Sequence, residues 1–504
     1  MTAEPPHPIR LRTVAGALLA AFVVGCVLTS TAFAARTPPY VPGVVVVGFG
    51  PRTAPRARDA MLVRAGTAAA PVSSAGVSEL RLRRGVSVRQ ALGRLRGRPG
   101  VLWAVPDYVA HLASVPTAPA LTTFPLGADQ LLGQPFTPND PGSAGTAGGW
   151  AQVQWNFAGT WGVGAQQAWG NLNADGHPGG HGVTIAVLDT GVAYANHGHY
   201  IRSPDFSASQ FVAGYDFVSH SRYPEDHNGH GTQVAGTIAE QTNNGVGVTG
   251  LAYGARIMPV RVLNSQGNGS ASTIAKGIYF AVRHGAQIIN LSLEFDAGTI
   301  TAADIPQLIG AIDFAHSKNV LVVAAAGNES MDQLSYPAKA PYVLAVGAST
   351  IDGCLAFYSN FGSSMALVAP GGGGDAAIPD DANCVPQNLP GPSADIFQET
   401  FADVNTPNPR VFGIPSGYFG TSMAAPHVTA AAALVIASGV LGAHPTVAAI
   451  VARLESTATP LGPGGHNEPA YFGAGLLNVA AATAPIGTTG PTGTTGTTGS
   501  SGAT

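Results

Sequence analysis

The 504-residue chain is short of charge: Asp, Glu, Lys and Arg together make up 10% of it. It has three cysteines, and only Lys276, Lys318 and Lys339 among its 24 basic residues are lysines. Each scarcity excludes something. Few charges beside 45% hydrophobic residues exclude whole-chain disorder, which needs low hydrophobicity and high net charge. The long acidic part has no Lys/Arg cluster, which argues against a nucleic-acid partner. Past the N-terminus, no stretch is long and apolar enough to read as a membrane span. The length allows two or three domains of roughly 150 residues, with a large buried core.

The formal net charge of −4 conceals a segregation. Residues 1–35 carry two Arg against one Glu, for +1. Residues 36–115 carry twelve Arg against Asp59, Glu79 and Asp107, for +9. The remaining residues, 116–504, hold ten basic and 24 acidic side chains, for −14. At the N-terminus Arg10 and Arg12 precede an uncharged stretch over 14–34 that ends in Ala32-Phe33-Ala34. A charged region, an apolar region and a small-x-small site read as a secretory signal over 1–35. The other readings are a retained anchor helix, which would tie the protein to a membrane, and a weak lipoprotein box at Val23-Val24-Gly25-Cys26. Export leaves Cys354 and Cys384 as the mature cysteines. In an oxidising compartment they form either a disulfide or two separate thiols. A bridge would stabilise by roughly 3 to 4 kcal/mol in the loop-entropy picture.

Residues 40–112 read as a small α/β unit: a buried strand at 44–49, a helix over 86–95 and a closing strand from 101. Residues 113–150, rich in Pro, Gly, Thr and Ala, read as a linker. From about 151 to 484 apolar runs alternate with helical patterns. The runs are 183–188, 257–262, 288–293, 320–326 and 343–346, which predicts an α/β fold: a parallel sheet with helices on both faces. Residues 485–504, with Gly at every third place from Gly487 to Gly499, read as a flexible tail.

Three segments put a reactive side chain at the edge of that sheet. The run Val187-Leu188-Asp189-Thr190-Gly191 ends a strand in a carboxylate, where parallel sheets place ligands. Alone, Asp189 could be a cap. In Asn228-Gly229-His230-Gly231-Thr232, His230 lies between glycines at a helix start, which leaves its ring approachable. In Gly420-Thr421-Ser422-Met423-Ala424-Ala425-Pro426-His427, a tight turn enters a helix, so Ser422 meets backbone N–H groups that favour developing negative charge. Pro426 is expected within the first turn, where a missing N–H costs little. Ser422 alone could be an N-cap. Together, a nucleophile, a base and an orienting acid make the set that covalent catalysis needs.

The chain order Asp189, His230, Ser422 and the blocks around them resemble the subtilase family of subtilisin-like serine endopeptidases. The resemblance covers about residues 136–482. It implies a subtilisin-like parallel sheet flanked by helices, with Asp189 orienting His230, His230 as base and then acid, and Ser422 as nucleophile. Gly327-Asn328-Glu329 resembles the family's oxyanion block and implies that Asn328 donates to the oxyanion beside the Ser422 N–H. Residues 36–115 resemble the family's inhibitory propeptide, an α+β, ferredoxin-like domain processed somewhere between about 112 and 136. The +9 unit would then be steered onto the −14 enzyme by opposite charge.

Gly267, Asn268 and Gly269 resemble the strand that pairs with an extended substrate backbone. Ser292, Leu293 and Glu294, with Ala325, Ala326 and Gly327, resemble the walls of the primary specificity pocket. The family usually has Gly where this chain has Glu294. Glu294 and Glu329 are expected either to favour a basic or polar residue before the scissile bond or to be solvated rim carboxylates. A resemblance to the thermitase branch implies a structural Ca²⁺ held by Asp140, Asp205, Gln241, Asn244, Val246 and Val248, through carboxylate, side-chain amide and carbonyl oxygens that suit a hard cation. The same residues could instead be ordinary Asn-Gly turns. The insertion over 371–418 has no counterpart in the family blocks; a bridge from Cys384 would pin it at Cys354. The implied partners are protein and peptide substrates and the chain's own propeptide. A catalytically silent scaffold used for binding is the competing function. An esterase is excluded by motif, because no Gly-x-Ser-x-Gly elbow surrounds Ser422 and the acid precedes the base.

Overall fold

The computed structural model of the protein describes residues 39–68, 76–113, 134–385 and 394–486. The signal segment, most of the Gly-Thr tail, the start of the linker and part of the 371–418 insertion lie outside the described residues.

An N-terminal unit is built from β1 (Tyr40–Phe49), α1 (Pro55–Ala65), β2 (Val77–Arg81), α2 (Val88–Leu95) and β3 (Val101–Leu112). β1 is central and pairs antiparallel with β2 and β3. Its alternate residues Val45, Val47 and Phe49 turn to the face covered by Leu62 of α1 and by Leu92 and Leu95 of α2, a separate hydrophobic core. Ser87 and Gln90 cap each other's backbone N–H groups, which fixes where α2 begins. The stretch read as a linker is packed from Gln134 onward. Trp150 there is fully buried and its indole N–H donates to the Pro138 carbonyl.

Two short helices, α3 (Trp155–Ala158) and α4 (Ala165–Ala174), lead into the main sheet. Its strands are β4 (Thr184–Asp189), β5 (Tyr215–Asp216), β6 (Arg256–Arg261), β8 (Ile288–Leu291), β10 (Leu321–Ala325), β11 (Val343–Ser349) and β12 (Leu367–Pro370). Two short strands outside it, β7 (Asn268–Ser270) and β9 (Leu293–Glu294), border the cleft described below. The main sheet runs β12-β11-β10-β8-β4-β6-β5, all parallel. Strand alternation feeds two cores. Ile185 and Val187 face α5 (His230–Ala239) and α8 (Thr421–Ala437), while Ala186 and Leu188 face α6 (Ala271–Arg283) and α7 (Pro306–Ser317). β4 lies where the strand order turns back on itself, so a crevice opens at its carboxyl end. Asp189 is its last residue.

α8 is apolar all round and buried from Thr421 to Val435, as a helix within a large core must be. Pro426 does not sit in its first turn as expected; it is the sixth residue of the helix. Its missing N–H leaves the Ser422 carbonyl without an intrahelical donor. The Ser292 hydroxyl fills that role at 2.8 Å.

Candidate active site

The acid and the base meet because two backbone elements come very close. Asp189 is fully buried; its Oδ1 accepts from the Thr190 N–H at 2.7 Å and lies 2.8 Å from His230 Nδ1. A Cβ on Gly231 would stand 2.1 Å from the Gly191 carbonyl oxygen. Only glycine therefore lets the start of α5 descend onto the end of β4. His230 Nε2 is buried and has no hydrogen-bond partner. One ring nitrogen is held by the acid, and the other is available.

The loop that presents His230 is organised by a residue the sequence reading passed over. Asp226 is fully buried and accepts from the N–H groups of Asn228, Gly229 and Thr232 and from the hydroxyls of Thr190 and Thr232. Its signal was present as an Asp two residues before an Asn-Gly pair, a pattern that folds back on its own backbone.

Ser422 is the second residue of α8, 0% exposed. Its Oγ donates to the Ser292 carbonyl at 3.0 Å, while the Ser292 hydroxyl donates to the Ser422 carbonyl. The helix carrying Ser422 is thus joined reciprocally to the wall carrying Ser292. Asn328 is oriented by Thr421, whose N–H and hydroxyl both donate to Asn328 Oδ1 at 3.0 Å. That fixes the amide so that Nδ2 faces away from Thr421; it lies 3.4 Å from Glu294 Oε1.

The cleft beside these residues is filled by the chain itself. β3 leaves the N-terminal sheet and runs between β7 and β9, antiparallel to both. Val109, Ala110 and His111 pair with Ser270, Gly269 and Asn268, and His111 and Leu112 pair with Glu294 and Leu293. The Leu112 N–H donates to the Gly267 carbonyl at 3.1 Å. A Cβ on Gly267 would stand 2.6 Å from the Leu112 side chain, so glycine makes the room for it. The next carbonyl, that of fully buried Ala113, accepts from the Ser422 N–H at 3.0 Å. Further out, Asp107 is buried against the start of α6 and accepts from the Ser272 N–H at 3.0 Å; burial pushes its pKa up to about 6. His111 Nε2 meets Asp296, and Lys276 of α6 pairs with Glu79 of β2.

A profile of the subtilase family matches residues 180–475, which is 296 of the 504 residues. The chain is a subtilase. The family makes it a serine-type endopeptidase acting on proteins. It is 32% identical over 400 residues to a thermophilic serine proteinase of Bacillus sp. (strain AK1), covering 79% of each chain. It is 35% identical over 317 residues to subtilisin DY of Bacillus licheniformis, covering 62% of this chain and 94% of that one. Among solved structures it resembles fervidolysin from Fervidobacterium pennivorans, a keratinolytic enzyme related to subtilisin. There the TM-score is 0.63 at 23% identity, with 89% of this chain and 62% of that one covered.

Glu294 departs from the sequence expectation. It is no solvated rim carboxylate: the residue is 2% exposed, and its Oε2 accepts from the Asn328 N–H at 3.1 Å. Glu329 accepts from the Ala297 N–H and from Ser335 and Asn360.

The six residues expected to hold calcium lie together. Asp140 accepts from the N–H groups of Asn243, Asn244 and Gly245 and so ties the loop down. Asp205 accepts from the Val248 N–H and from Asn244 Nδ2, and its carbonyl accepts from the Gln241 N–H. The Val246 N–H donates to Asn244 Oδ1. Two acids missed by the sequence reading crowd in. A Cβ on Gly247 would stand 2.3 Å from Asp205 Oδ2 and 2.7 Å from Glu399 Oε2, and buried Glu240 has its Oε2 unpartnered. Burial and mutual repulsion push Asp205 up to about 8 and Glu240 well above the usual carboxylate range; burial takes Glu399 to about 7. Among the described residues no three His, Cys, Asp or Glu side chains converge as a metal cage. A site built largely from carbonyl and amide oxygens does not need one.

Glu399 belongs to the 371–418 insertion. There β13 (Thr400–Phe401) and β14 (Phe412–Gly413) form a hairpin beside the start of α5, where the Thr400 hydroxyl donates to the Gly229 carbonyl at 2.6 Å. A Cys354–Cys384 disulfide fastens its other end. Among the described residues no helix is long and apolar enough to cross a membrane.

Proposed function

We propose that this subtilase is an exported endopeptidase made as a latent precursor, working through Asp189, His230 and Ser422 and cutting its own chain after Ala113. One observation carries the reading: the Ser422 N–H holds the Ala113 carbonyl at the end of a strand threaded through the cleft.

In this mechanism the Ser422 hydroxyl leaves the Ser292 carbonyl by rotating about χ1 and gives its proton to His230 Nε2. Its oxygen then adds to the Ala113 carbonyl carbon. The resulting oxyanion takes the Ser422 N–H and an Asn328 Nδ2–H; losing such a donor costs about 10² to 10³ in rate. Asp189 stabilises the imidazolium. His230 then protonates the departing Ser114 nitrogen as the C–N bond breaks, and water hydrolyses the acyl-enzyme by the reverse sequence. Residues 36–113 act as the inhibitory propeptide and occupy the groove as a bound product. Other proteins enter by the same strand addition, which reads backbone and so suits many sequences.

Calcium is the second part of the reading. Asp205, the Asn244 side chain and the carbonyls of Gln241, Val246 and Val248 would hold it, with Asp140 tying down the loop. The crowded, partly unpartnered carboxylates fit a divalent cation, which would supply positive charge beside them.

N-terminal sequencing and intact mass of the exported product test the reading, with labelling by a fluorophosphonate. The wild type is expected to begin at Ser114 and to label. Ser422→Ala should stay at precursor length and not label. A Ser422→Ala product cut at the same place would overturn self-processing.

A further inference from the structure

The carboxyl of Glu294 lies where a substrate side chain would be expected to go. Ser292, Leu293 and Glu294 form one wall of the cleft, and Ala325, Ala326 and Gly327, followed by Asn328, form the other. Glu294 starts on the first wall and ends on the second. Its Oε2 accepts from the Asn328 N–H at 3.1 Å, its Oε1 lies 3.4 Å from Asn328 Nδ2, and a Cβ on Gly327 would stand 2.6 Å from Oε2. A side chain that spans both walls fills the space between them. It is itself 2% exposed, with β3 paired against it.

The donors that hold this carboxyl are neutral. The charged groups that act on it are Glu329 and His111, its partner across β3 and β9. Burial and Glu329 push its pKa well up. Glu329 spends its own oxygens on Ala297, Ser335 and Asn360. An arriving guanidinium would find both carboxyls committed. A large apolar side chain would have to displace Glu294 and strand the Asn328 N–H in a buried site. The residue whose carbonyl the Ser422 N–H holds is Ala113, fully buried, with a single methyl group for a side chain.

We propose that Glu294 determines specificity by shortening the primary pocket, so that the enzyme cleaves after Ala, Ser or Gly rather than after large apolar or basic residues. The proposal rests on Ser422 being the nucleophile and Ala113 the residue before the scissile bond. It departs from the sequence expectation by giving Glu294 a steric role in place of an attractive one. Stranding one buried donor, or filling a closed pocket, is worth about tenfold to a hundredfold in kcat/KM.

The test is a set of chromogenic peptides that differ only in the residue before the bond, with processed enzyme counted by fluorophosphonate titration. Wild type should prefer Ala over Phe and over Arg by at least about tenfold. Glu294→Gly should shrink the Ala-over-Phe ratio by about the same factor, whatever it does to the absolute rates. Glu294→Gln, which keeps the volume and removes the charge, should keep the Ala preference and serves if the glycine variant does not mature. Wild type cutting after Phe or Arg as fast as after Ala would overturn the proposal. So would a Gln variant that loses selectivity, which would mean that charge and not size discriminates. A wild type that titrates with no phosphonate would instead defeat the nucleophile assignment.

Discussion

The catalytic cleft and the 241–248 loop both keep carboxylates away from water, and they balance them differently. Asp189 is buried with a histidine at 2.8 Å and a backbone N–H at 2.7 Å. Its charge has a partner supplied by the chain. Asp205 is held by the Val248 N–H and Asn244 Nδ2 and Glu240 Oε1 by the Glu399 N–H, all neutral donors; Glu240 Oε2, like Asp189 Oδ2, has no donor. Buried charge is tolerated when it is paired and hydrogen-bonded, and otherwise it takes up a proton or a cation. The difference is therefore the histidine: the cleft carboxylate has one in contact, and the three loop acids have no cationic or histidine partner among the described residues.

Removing the partner should hurt most in the cleft. Asp189→Asn is expected to lower kcat on the order of 10⁴-fold with little change in KM, because His230 would hold the wrong tautomer. A loss under tenfold in initial-rate assays would mean that Asp189 does not orient the base. The loop should respond in stability instead. Removing calcium by chelation is expected to lower Tm by on the order of 10 °C, the scale for losing a tight ligand from a domain of this size. Glu240→Gln, measured by calorimetry in chelator, should melt a few degrees above the chelated wild type, because repulsion is relieved. Coincident melting of loaded and chelated wild type would show that protons alone balance the acids.

Two smaller effects concern the cleft while β3 occupies it. The His111 pKa is raised from an ordinary value near 6.5 to about 9, with burial opposed by its bond to Asp296 and by the Glu294 charge. A raised pKa means that the docked state favours the proton. Affinity is therefore full below about pH 6.5 and falls as pH rises through 9. The His111–Asp296 pair is more than a third exposed on each side, so screening limits the loss to several-fold. Gel filtration of the processed complex at pH 6.5 and pH 9.5 measures it, and equal retention would discard the effect. The smallest effect is steering. The +9 unit should dock onto the −14 part more slowly as salt rises to about 0.5 M, in stopped-flow inhibition of the mature enzyme. An unchanged association rate would remove charge from the account.

Much of this was legible in the sequence because the signals were local. The five apolar runs correspond to β4, β6, β8, β10 and β11. The edge strands β5 and β12 were missed: β5 has two residues, and β12 ends in Pro370, which reads as a turn signal. Asp189, His230 and Ser422 announced themselves through glycine flanks and strand ends. Asp226 and Thr421 did not, because their importance lies in which N–H groups they meet. Glu294 stood out as a departure, yet its role depends on whether the side chain points outward or across the cleft, and one-dimensional pattern cannot say. Pro426 was placed in the wrong turn because no donor was known for the carbonyl it orphans. The crowding of Glu399 against Asp205 spans some 190 positions in the chain and had no local trace.

β3 belongs to two sheets at once, and this has a consequence for inheritance. Residues 109–112 must fit the β7 and β9 walls, while residues 101–106 must fit β1. An alteration in the cleft walls is therefore tested first on the chain's own strand, before the enzyme meets anything else. On the proposed cleavage after Ala113, a variant that rejects that residue would not mature. Catalytic parts exchanged among relatives should travel with residues 109–113, as a lock is moved together with its key.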